Sequence, residues 1–460
     1  MQPERDLKAT RRQALKLSGA GLLGGAIGSG LGGNLSGGLG EAFVPAAEAA
    51  EHHAPVGTWP KGVSGKTAFI GLSPPLTGTY GVPGHDELRG YQLAIEHLND
   101  GDPLMRAFAP KVTKGLLGKK VIYGVGDSQA HPNVAIQVQS KFISNNNAIL
   151  MSGQCTSAVA IALEKLGQRE KVIYITGISG SNDTTGKECV RYGFRCSFYA
   201  HMSAAALAPA LIKAFGKNKK AAYLTPDYTF GTTVQHSTEL ALKKGGWTTV
   251  TNQLPPLGTS DFSSYLLNIA NSGADFVIDI CWGNDAVASI KQMAQFGIPK
   301  KMTLVIAYQT PFLARDVTPE LTQGVYAATD WWWTLQDKYP LAKQFVEKFE
   351  KKFGYKPDMT ANEAYLDIAS WARMVSNAGT FYPPSVIKEW EKGEHYDSTV
   401  GEVWFRPENH QMIRPVFVQR GKKPSEMKSK DDYWEIVDTV PGPETVQAVG
   451  AFGCHLGAYT

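Results

Sequence analysis

From Lys66 onward, the sequence alternates short strand-like apolar runs with segments of helical periodicity. The run TAFIGLS is followed by a segment, 85–99, whose apolar residues recur at helical spacing, namely Leu88, Tyr91, Ile95 and Leu98. The runs KKVIYGVGD, AILM and VIYIT continue the pattern. Such alternation is typical of parallel sheets covered by helices. It predicts an α/β fold with one doubly wound domain over about 66–190.

A second series of the same kind begins after RYGFRCSF, where the strand-like runs KAAYLTP, DFVIDICW and MTLVIAY alternate with helical segments. Two long helical segments follow, and GEVWFRP and RPVFVQR then alternate like an antiparallel pair at a domain edge. A chain of 460 residues exceeds what one hydrophobic core usually holds. We therefore expect two doubly wound domains.

The overall charge excludes some classes of partner. The net charge is +4, and basic and acidic residues are interspersed along the chain. A nucleic-acid-binding protein or a protein of anionic membrane surfaces usually carries a concentrated basic region. We therefore expect neither nucleic acid nor a membrane surface as a partner.

The first fifty residues differ in composition from the rest. Arg11 and Arg12 precede Lys16, and eleven of the 24 positions in the uncharged run 17–40 are glycine. This run is too weakly apolar for a stable membrane span. The segment TRRQALK resembles the twin-arginine export motif, and small residues at Ala47 and Ala49 suit signal peptidase. We expect residues 1–50 to be a twin-arginine signal peptide that directs the chain to the periplasm; the alternative is an unexported glycine-rich linker.

Five cysteines are present in the chain. Disulfides persist in the oxidising compartment that an exported protein enters. Cys189 and Cys196 are close enough in sequence to close a small loop, so we predict a disulfide between them. The odd count leaves at least one free thiol.

Motifs of enzymatic chemistry are missing from the sequence. It contains no G-x-S-x-G nucleophile elbow, no H-E-x-x-H and no zinc-like Cys/His spacing. The run Gly19-Ala-Gly21-Leu-Leu-Gly24 matches a dinucleotide-binding pattern, but it lies in the signal segment with no preceding strand. We expect no catalysis, no cofactor and no metal; an exported enzyme is the remote alternative.

The stretch FIGLSPPLTGTYGVPGHDELRGYQLAIEHLND resembles the start of type I periplasmic solute-binding proteins of the leucine/isoleucine/valine-binding kind. The stretches LTPDYTFGTTVQ, GTSDFSSYLLNIANSGADFVI and GEVWFRPENHQMIRPVFVQRGK are similar to later parts of that family, so that the resemblance covers about 66–425. It implies two doubly wound, Rossmann-like lobes joined by three hinge strands, with a ligand held between the lobes.

The resemblance also implies where the lobes begin and end. Lobe 1 is expected to comprise 66–195 and 328–398, and lobe 2 to comprise 196–327 and 399–440, with a C-terminal tail at 441–460. The three crossovers are then expected near Tyr192–Phe198, Gly324–Thr329 and Val400–Phe405.

In the family, loops that follow the strands of both lobes contact the ligand. A helix start suits an anionic group because its free N–H groups and its dipole point there. In lobe 1 the resemblance implies ligand contacts from Tyr80, Gln154, Cys155, Thr156, Gly177 and Ser179. In lobe 2 it implies contacts from Tyr228, Trp282, Tyr308 and Gln309. The alternative for each residue is ordinary packing or helix capping.

One position departs from the amino-acid-binding members of the family. Those proteins place an acid in lobe 2 to hold the ammonium group of the ligand, whereas this sequence has Tyr308 and Gln309 there. Burying an ammonium group without a charged partner is costly. The acids that could substitute are Asp227, Asp285 and Asp330. The expected solute is therefore an amino acid only if one of them does so, and otherwise an amide or an aromatic carboxylate.

Three consecutive tryptophans follow the second expected hinge strand. Side chains alternate in extended chain, so Trp331 and Trp333 are expected on one face and Trp332 on the other. We expect Trp331 and Trp333 to face the ligand; the alternative is that all three are core residues.

The resemblance implies a function in uptake. The expected protein is a monomer that captures a small-molecule solute by hinge closure and delivers it to the permease and ATPase subunits of an ABC importer. A sensor that presents its ligand to a membrane receptor has the same fold and remains the alternative.

Overall fold

The computed structural model describes Val63 and residues 65–459. The predicted signal peptide lies outside the described residues. Among the described residues, no helix is both long enough and apolar enough to cross a bilayer.

Fifteen strands are found in the described residues: β1 (Thr67–Leu72), β2 (Lys120–Val125), β3 (Leu150–Ser152), β4 (Ile173–Thr176), β5 (Gly193–Arg195), β6 (Lys220–Leu224), β7 (Thr248–Gln253), β8 (Phe276–Asp279), β9 (Thr303–Ile306), β10 (Tyr326–Thr329), β11 (Tyr396–Ser398), β12 (Gly401–Arg406), β13 (Gln411–Ile413), β14 (Val416–Gly421) and β15 (Trp434–Val440).

The α-helices of the same part of the chain are α1 (Gly81–Asp100), α2 (Pro103–Phe108), α3 (Pro132–Asn146), α4 (Ser157–Glu170), α5 (Ala200–Phe215), α6 (Thr229–Lys243), α7 (Ser263–Ala270), α8 (Asn284–Gln295), α9 (Leu313–Val317), α10 (Pro319–Thr322), α11 (Pro340–Phe353), α12 (Met359–Ala378), α13 (Pro383–Trp390) and α14 (Gly442–Thr445). Short 3₁₀ helices cover Gly78–Tyr80, Ile298–Lys300, Trp333–Asp337 and Pro424–Glu426.

The strands form two sheets, one in each lobe. The first has the order β11-β12-β13-β5-β4-β3-β1-β2, and the second has the order β15-β14-β10-β9-β8-β6-β7. Strands β1 to β5 pair in parallel, and so do β6 to β10, whereas β12, β14 and β15 pair antiparallel with their neighbours in sequence. The predicted fold class of two doubly wound α/β lobes is confirmed.

The parallel strands are buried on both faces because helices cover both sheets. The central strands β3, β4 and β8 are buried along their whole length. In lobe 1, α1 packs closely against α12. A Cβ on Gly90 would lie 2.2 Å from the carbonyl oxygen of Ala361, so the close approach of these helices requires glycine.

Between residues 65 and 440 the chain passes between the lobes three times. The first crossing follows β5 and precedes α5, and the second follows β10 and leads through the tryptophan run to α11. The third was expected near Val400–Phe405, but β12 in that region pairs with β13 inside the first sheet. The chain instead crosses at Arg414 and Pro415, between β13 and β14. Residues 399–413 therefore belong to lobe 1 rather than to lobe 2.

The cysteine pairing also differs from the prediction. Cys189 forms a disulfide with Cys454, 265 residues away in sequence, while Cys155, Cys196 and Cys281 are buried free thiols. The prediction of a Cys189–Cys196 bridge was wrong. Strand β5 lies between these two cysteines, and its extended chain carries Cys196 away into the buried first crossing.

Candidate functional site

The candidate site lies between the lobes, where loops at the carboxyl ends of parallel strands meet. In open α/β sheets such loops are the usual place for a ligand. Lobe 1 contributes the segments that follow β1, β3 and β4, and lobe 2 contributes those that follow β6, β8 and β9. Every residue predicted to contact a ligand, apart from the tryptophans of the 331–333 run, follows one of these six strands.

Aromatic side chains from both lobes meet in this cleft and form what we call the aromatic cluster. The hydroxyl of Tyr80 in lobe 1 lies 2.8 Å from the hydroxyl of Tyr228 in lobe 2. The ring of Tyr80 also packs on Trp282, with centroids 5.4 Å apart. On the other side, Tyr228 packs on Phe230 at 5.8 Å, and Phe230 packs on Tyr308 at 5.3 Å. The cluster is therefore continuous across the interface between the lobes.

The aromatic cluster provides neutral polar groups. Burial raises the pKa of Tyr80 well above its ordinary value, with a further contribution from Tyr228, and burial likewise raises the pKa of Tyr228. Both hydroxyls therefore stay protonated and can donate. The indole N–H of Trp282 is buried and finds no hydrogen-bond partner among the described residues. Such a donor gains most from an acceptor brought into the cleft.

The loop after β3 is arranged around the side chain of Gln154. Its Oε1 accepts hydrogen bonds from the backbone N–H of Cys155 at 2.7 Å and of Thr156 at 2.9 Å, and from the hydroxyl of Thr156 at 3.2 Å. The amide oxygen of Gln154 thus holds the backbone that leads into α4. The amide nitrogen of Gln154 donates to the hydroxyl of Ser128 at 3.2 Å, so both ends of this side chain are engaged within lobe 1.

A buried carboxyl from α1 supports this loop. Oε1 of Glu87 accepts from the backbone N–H of Gln154 at 2.9 Å, and Oε2 accepts from Sγ of Cys155 at 3.5 Å. Gly177 lies against the same carboxyl, because a Cβ there would be 1.7 Å from Glu87 Oε1. Burial raises the pKa of Glu87 to about 7, and the hydrogen bonds from the loop oppose that rise. Glu87 therefore holds the loops after β3 and β4 together.

The loop after β4 is fixed by a buried arginine. Nη1 of Arg195 donates to the carbonyl oxygens of Ser179 at 2.7 Å and Ser181 at 2.6 Å, and Nε donates to Gln411 at 2.6 Å. The hydroxyl of Ser179 pairs with that of Thr184 at 2.7 Å. Arg195 is used inside lobe 1 as a structural donor.

The outer edge of the cleft is closed by polar contacts between the 3₁₀ helix of lobe 1 and α8 of lobe 2. Thr79 donates to Asp285 Oδ1 at 3.3 Å, and the side chain of Asn284 donates to the carbonyl of Gly78 at 3.3 Å. Gly283 has φ +60°, and a Cβ there would lie 2.5 Å from the carbonyl oxygen of Thr79. Glycine is therefore required where the lobes touch.

Comparison with known proteins identifies the family. Residues 67–427 match the model of the family described as periplasmic binding protein. The chain belongs to this family.

Relatives and solved structures of periplasmic binding proteins match this chain over most of their own length. The chain is 26% identical over 324 residues to Leu/Ile/Val-binding protein homolog 8 of Brucella abortus, which covers 68% of this chain and 77% of that protein. A periplasmic binding protein from Burkholderia mallei superposes with a TM-score of 0.77 at 24% identity, covering 85% of this chain and 99% of that one. A solute-binding protein of an ABC transporter from R. palustris, in complex with benzoate, gives 0.71 at 21% identity, covering 85% and 100%.

In this periplasmic binding protein, the three acids considered as ammonium partners have other surroundings. Asp285 accepts from Gly258 N–H at 2.8 Å and from Thr79, and burial raises its pKa. Asp330 lies in the second crossing, where it accepts from Phe198 N–H at 3.0 Å and faces Arg414 at 3.5 Å. Asp227 is exposed. Asp285 is close enough to Tyr80 and Tyr228 to contribute to the raised pKa of both, but each of its carboxylate oxygens already accepts a hydrogen bond.

Tyr308 and Gln309, which follow β9, lie in different surroundings. The ring of Tyr308 stacks on Phe198 at 4.0 Å, and its hydroxyl donates to the carbonyl of Phe198 at 3.0 Å. Gln309 is buried, and its side chain donates to Gln419 of β14 at 3.1 Å. Tyr308 therefore belongs to the inner end of the cleft, whereas Gln309 lies within lobe 2.

The tryptophan run packs against protein groups in different directions. Trp331 is buried against Phe345 of α11 at 5.6 Å, and Trp332 is buried against Phe312 at 6.1 Å. Trp333 donates its indole N–H to the carbonyl of Asp431 at 3.0 Å. The chain is extended at Trp332 but turns into a 3₁₀ helix at Trp333. Trp331 and Trp333 therefore have different protein partners, and the expectation that both face the ligand stays a prediction.

Two residues of the site were missed in the sequence. Phe230 lies in the middle of the aromatic cluster, and Glu87 holds the loops after β3 and β4. Phe230 is in the stretch TPDYTFG beside the predicted Tyr228, so the same loop signal was available for it. Glu87 lies on a helix with no local sign of a role in the site.

Proposed function

We propose that this protein is the solute-binding component of an ABC importer and that its solute is aromatic and lacks an ammonium group, either an aromatic carboxylate or an aromatic amide. The observation that carries the proposal is the aromatic cluster, which extends across both lobes and includes the unpaired donor of Trp282. Ring stacking and one or two directed hydrogen bonds are the usual means of recognising a small aromatic ligand.

The electrostatics of the cleft disfavour an α-amino acid. A buried ammonium group needs a carboxylate partner. Tyr308 and Gln309 replace the acid found in amino-acid-binding members, and the carboxylates of Asp285 and Asp330 already accept hydrogen bonds from protein groups. The solved R. palustris protein with benzoate is an example of the same fold with an aromatic acid bound.

Capture follows from closure of the two lobes. A solute between the lobes replaces the direct contact of Tyr80 with Tyr228 by contacts of its own to both side chains. Since these contacts exist only when the lobes are together, the solute favours the closed state. The closed form is then the form that a membrane permease recognises, and the protein acts as a monomer.

Export to the periplasm depends on the N-terminal segment. We propose that Arg11 and Arg12 form a twin-arginine signal and that the mature protein is periplasmic. Replacing both arginines by lysine is expected to keep the protein in the cytoplasm when fractions are compared. An equal periplasmic yield of the two forms would contradict the use of this export pathway.

The solute class is tested by a thermal-shift screen of the purified protein. A ligand that binds only the folded state raises the melting temperature by mass action. Benzoate, hydroxybenzoates and benzamide are expected to raise it in a concentration-dependent way, and leucine is not. A shift with leucine and with no aromatic compound would overturn the proposal.

A further inference from the structure

The last described residues, 441–459, run from lobe 2 onto lobe 1. After β15, the short helix α14 packs on α5 of lobe 2. Gly442 lies directly on the third crossing, because a Cβ there would be 2.7 Å from the backbone N and O of Arg414. The segment therefore starts from lobe 2 at the hinge.

The end of the segment is fastened to lobe 1 at several points. Cys454 is joined to Cys189 in the loop between β4 and β5. Arg191 donates to the carbonyl of Gly457 from Nε at 3.0 Å and from Nη2 at 2.7 Å, and the hydroxyl of Tyr192 donates to the carbonyl of Tyr459 at 2.6 Å. These contacts are all with the region just before β5.

The side chain of Tyr459 is bound by a charged group of lobe 1. Its hydroxyl donates to Glu391, which also pairs with His410 Nε2 at 2.9 Å and with Arg191 at 2.5 Å. Burial works against ionisation of Glu391, but these hydrogen bonds lower its pKa to about 2. The carboxylate is therefore ionised at neutral pH and holds Tyr459 in place.

Between its two ends the segment contacts both lobes at once. The ring of Phe452 lies edge-on to His201 of α5, with centroids 5.7 Å apart, while the Cβ and carbonyl oxygen of Phe452 lie against Gly186 of lobe 1. Nη1 of Arg406, from β12 of lobe 1, donates to the carbonyl of Gln447 at 2.8 Å. Movement of one lobe relative to the other changes both contacts.

We propose that residues 441–459 form a strap, a fourth and disulfide-fastened connection between the lobes that limits how far the cleft opens. The bond between Cys189 and Cys454 prevents the lobe 1 end from detaching. An opening motion then has to be taken up within 446–453 or by separation of α14 from α5. Residues 446–453 contain turns, in which the N–H of Ala451 donates to the carbonyl of Ala448 at 3.2 Å and that of Gly453 to the carbonyl of Gly450 at 2.9 Å. The strap can lengthen only as far as the opening of these turns allows.

The strap also lies beyond the part of the chain that the family model matches, which ends at residue 427. The proposed restraint acts in addition to the three crossings. It does not depend on which solute is bound, so it can be tested without one.

The test compares the solute-free protein with its disulfide intact, reduced and removed. Small-angle scattering gives the radius of gyration of the oxidised protein, of the protein treated with dithiothreitol, and of the double variant Cys189→Ser/Cys454→Ser. Dithiothreitol converts the bond to two thiols and is itself oxidised to its cyclic disulfide. Thiol titration in denaturant checks the starting state, with three thiols expected before reduction and five after it. His455→Ser, an exposed change next to Cys454, is the matched control.

Reduction is expected to increase the radius of gyration and to speed hydrogen exchange in α5 and in residues 196–199. The double variant should reproduce both changes without reductant and should not respond to it, and His455→Ser should behave as the wild type. Should the double variant fail to fold, the reduced wild type provides the same comparison. Five thiols before reduction, or an unchanged radius and unchanged exchange outside 441–459 after it, would overturn the proposal.

Discussion

The hinge side and the cleft side of this periplasmic binding protein both join the two lobes, but with different chemistry. At the hinge, the buried guanidinium of Arg414 in the third crossing donates to the carbonyl of Cys196 in the first at 3.2 Å and to that of Asp330 in the second at 2.9 Å. It also pairs with Glu363 of α12. One side chain thus connects all three crossings.

On the cleft side, the lobes are joined by hydrogen bonds between side chains, which a solute or water can replace. The hydroxyls of Tyr80 and Tyr228 make one hydrogen bond across it, and Thr79 makes another to Asp285. At the hinge, by contrast, the interacting groups are buried charges. Burial lowers the pKa of Arg414, but the neighbouring carboxyls of Asp330 and Glu363 raise it, with a net increase. The difference indicates a fixed axis on one side and a separable interface on the other.

The largest expected effect is at the hinge. Arg414→Met leaves Asp330 and Glu363 buried without their cation, and breaking a buried pair in this way costs about 3–5 kcal/mol. We expect the free energy of unfolding in urea to fall by that amount. Arg420→Met is the control, because Arg420 pairs with Glu435 at the surface, at 2.6 Å, and loses about 1 kcal/mol or less. Equal losses for the two variants would contradict a special role of Arg414.

A pH effect is expected where lobe 1 meets lobe 2 at Asp358. Its Oδ2 accepts from the backbone N–H of Phe312 at 3.0 Å and from the hydroxyl of Thr310, both of lobe 2. Burial, and then the neighbouring carboxyl of Asp86, raise the pKa of Asp358 to about 7. The unfolded chain ionises near pH 4, so this group makes the folded state less stable as the pH rises from about 4 to about 7.

Asp358→Asn removes that titration. Urea unfolding from pH 4.5 to 7.5 is expected to show a shallower loss of stability in the variant than in the wild type. The wild-type slope also contains Glu87 and Asp279, whose pKa values burial raises to about 7 and about 6, so the slope should decrease rather than vanish. The same slope in both proteins would show that Asp358 is not protonated in the folded state at these pH values.

In the cleft, Trp282→Phe is expected to weaken binding more than it weakens the fold. The change keeps a ring beside Tyr80 but removes the indole N–H, which is worth about 0.5–1.5 kcal/mol to an acceptor on the solute. Affinity for benzoate or benzamide should fall about 2- to 13-fold, with little change in melting temperature. Trp434→Phe is the matched control, because its N–H donates to the carbonyl of Pro311 at 2.8 Å. That variant should lose stability and keep its affinity; the opposite pattern would contradict the assignment.

The smallest expected effect comes from Tyr80→Phe. It removes one hydroxyl from the pair that joins the lobes, and a single hydrogen bond contributes about 0.5–1.5 kcal/mol. The solute-free variant should show a slightly larger radius of gyration than the wild type in small-angle scattering. A smaller radius would indicate that this pair does not hold the lobes together.

Much of this architecture was accessible from the sequence because it rests on local periodicity. Strands such as β1, β6 and β8 appear as short apolar runs, and the loops after them contain Tyr80, Tyr228 and Trp282, which the structure brings together. The ligand contacts of these residues remain predictions.

Features that depend on distant parts of the chain were not accessible. Strands β12 and β14 alternate alike, and nothing in their pattern indicates that β12 joins the first sheet and β14 the second. Cys189 pairs with a residue in the tail instead of its neighbour in sequence. Trp333 leaves the extended conformation at a 3₁₀ helix that ends near α11. In each case the deciding contact is tertiary.

The account is tested most directly by calorimetric titration of the wild-type protein with benzoate, benzamide and leucine under one set of conditions. A cleft lined by the aromatic cluster, in which Asp285 already accepts hydrogen bonds from Thr79 and Gly258, predicts a saturating one-to-one isotherm with benzoate or benzamide and none with leucine. Saturation with leucine and no heat from either aromatic compound would contradict it.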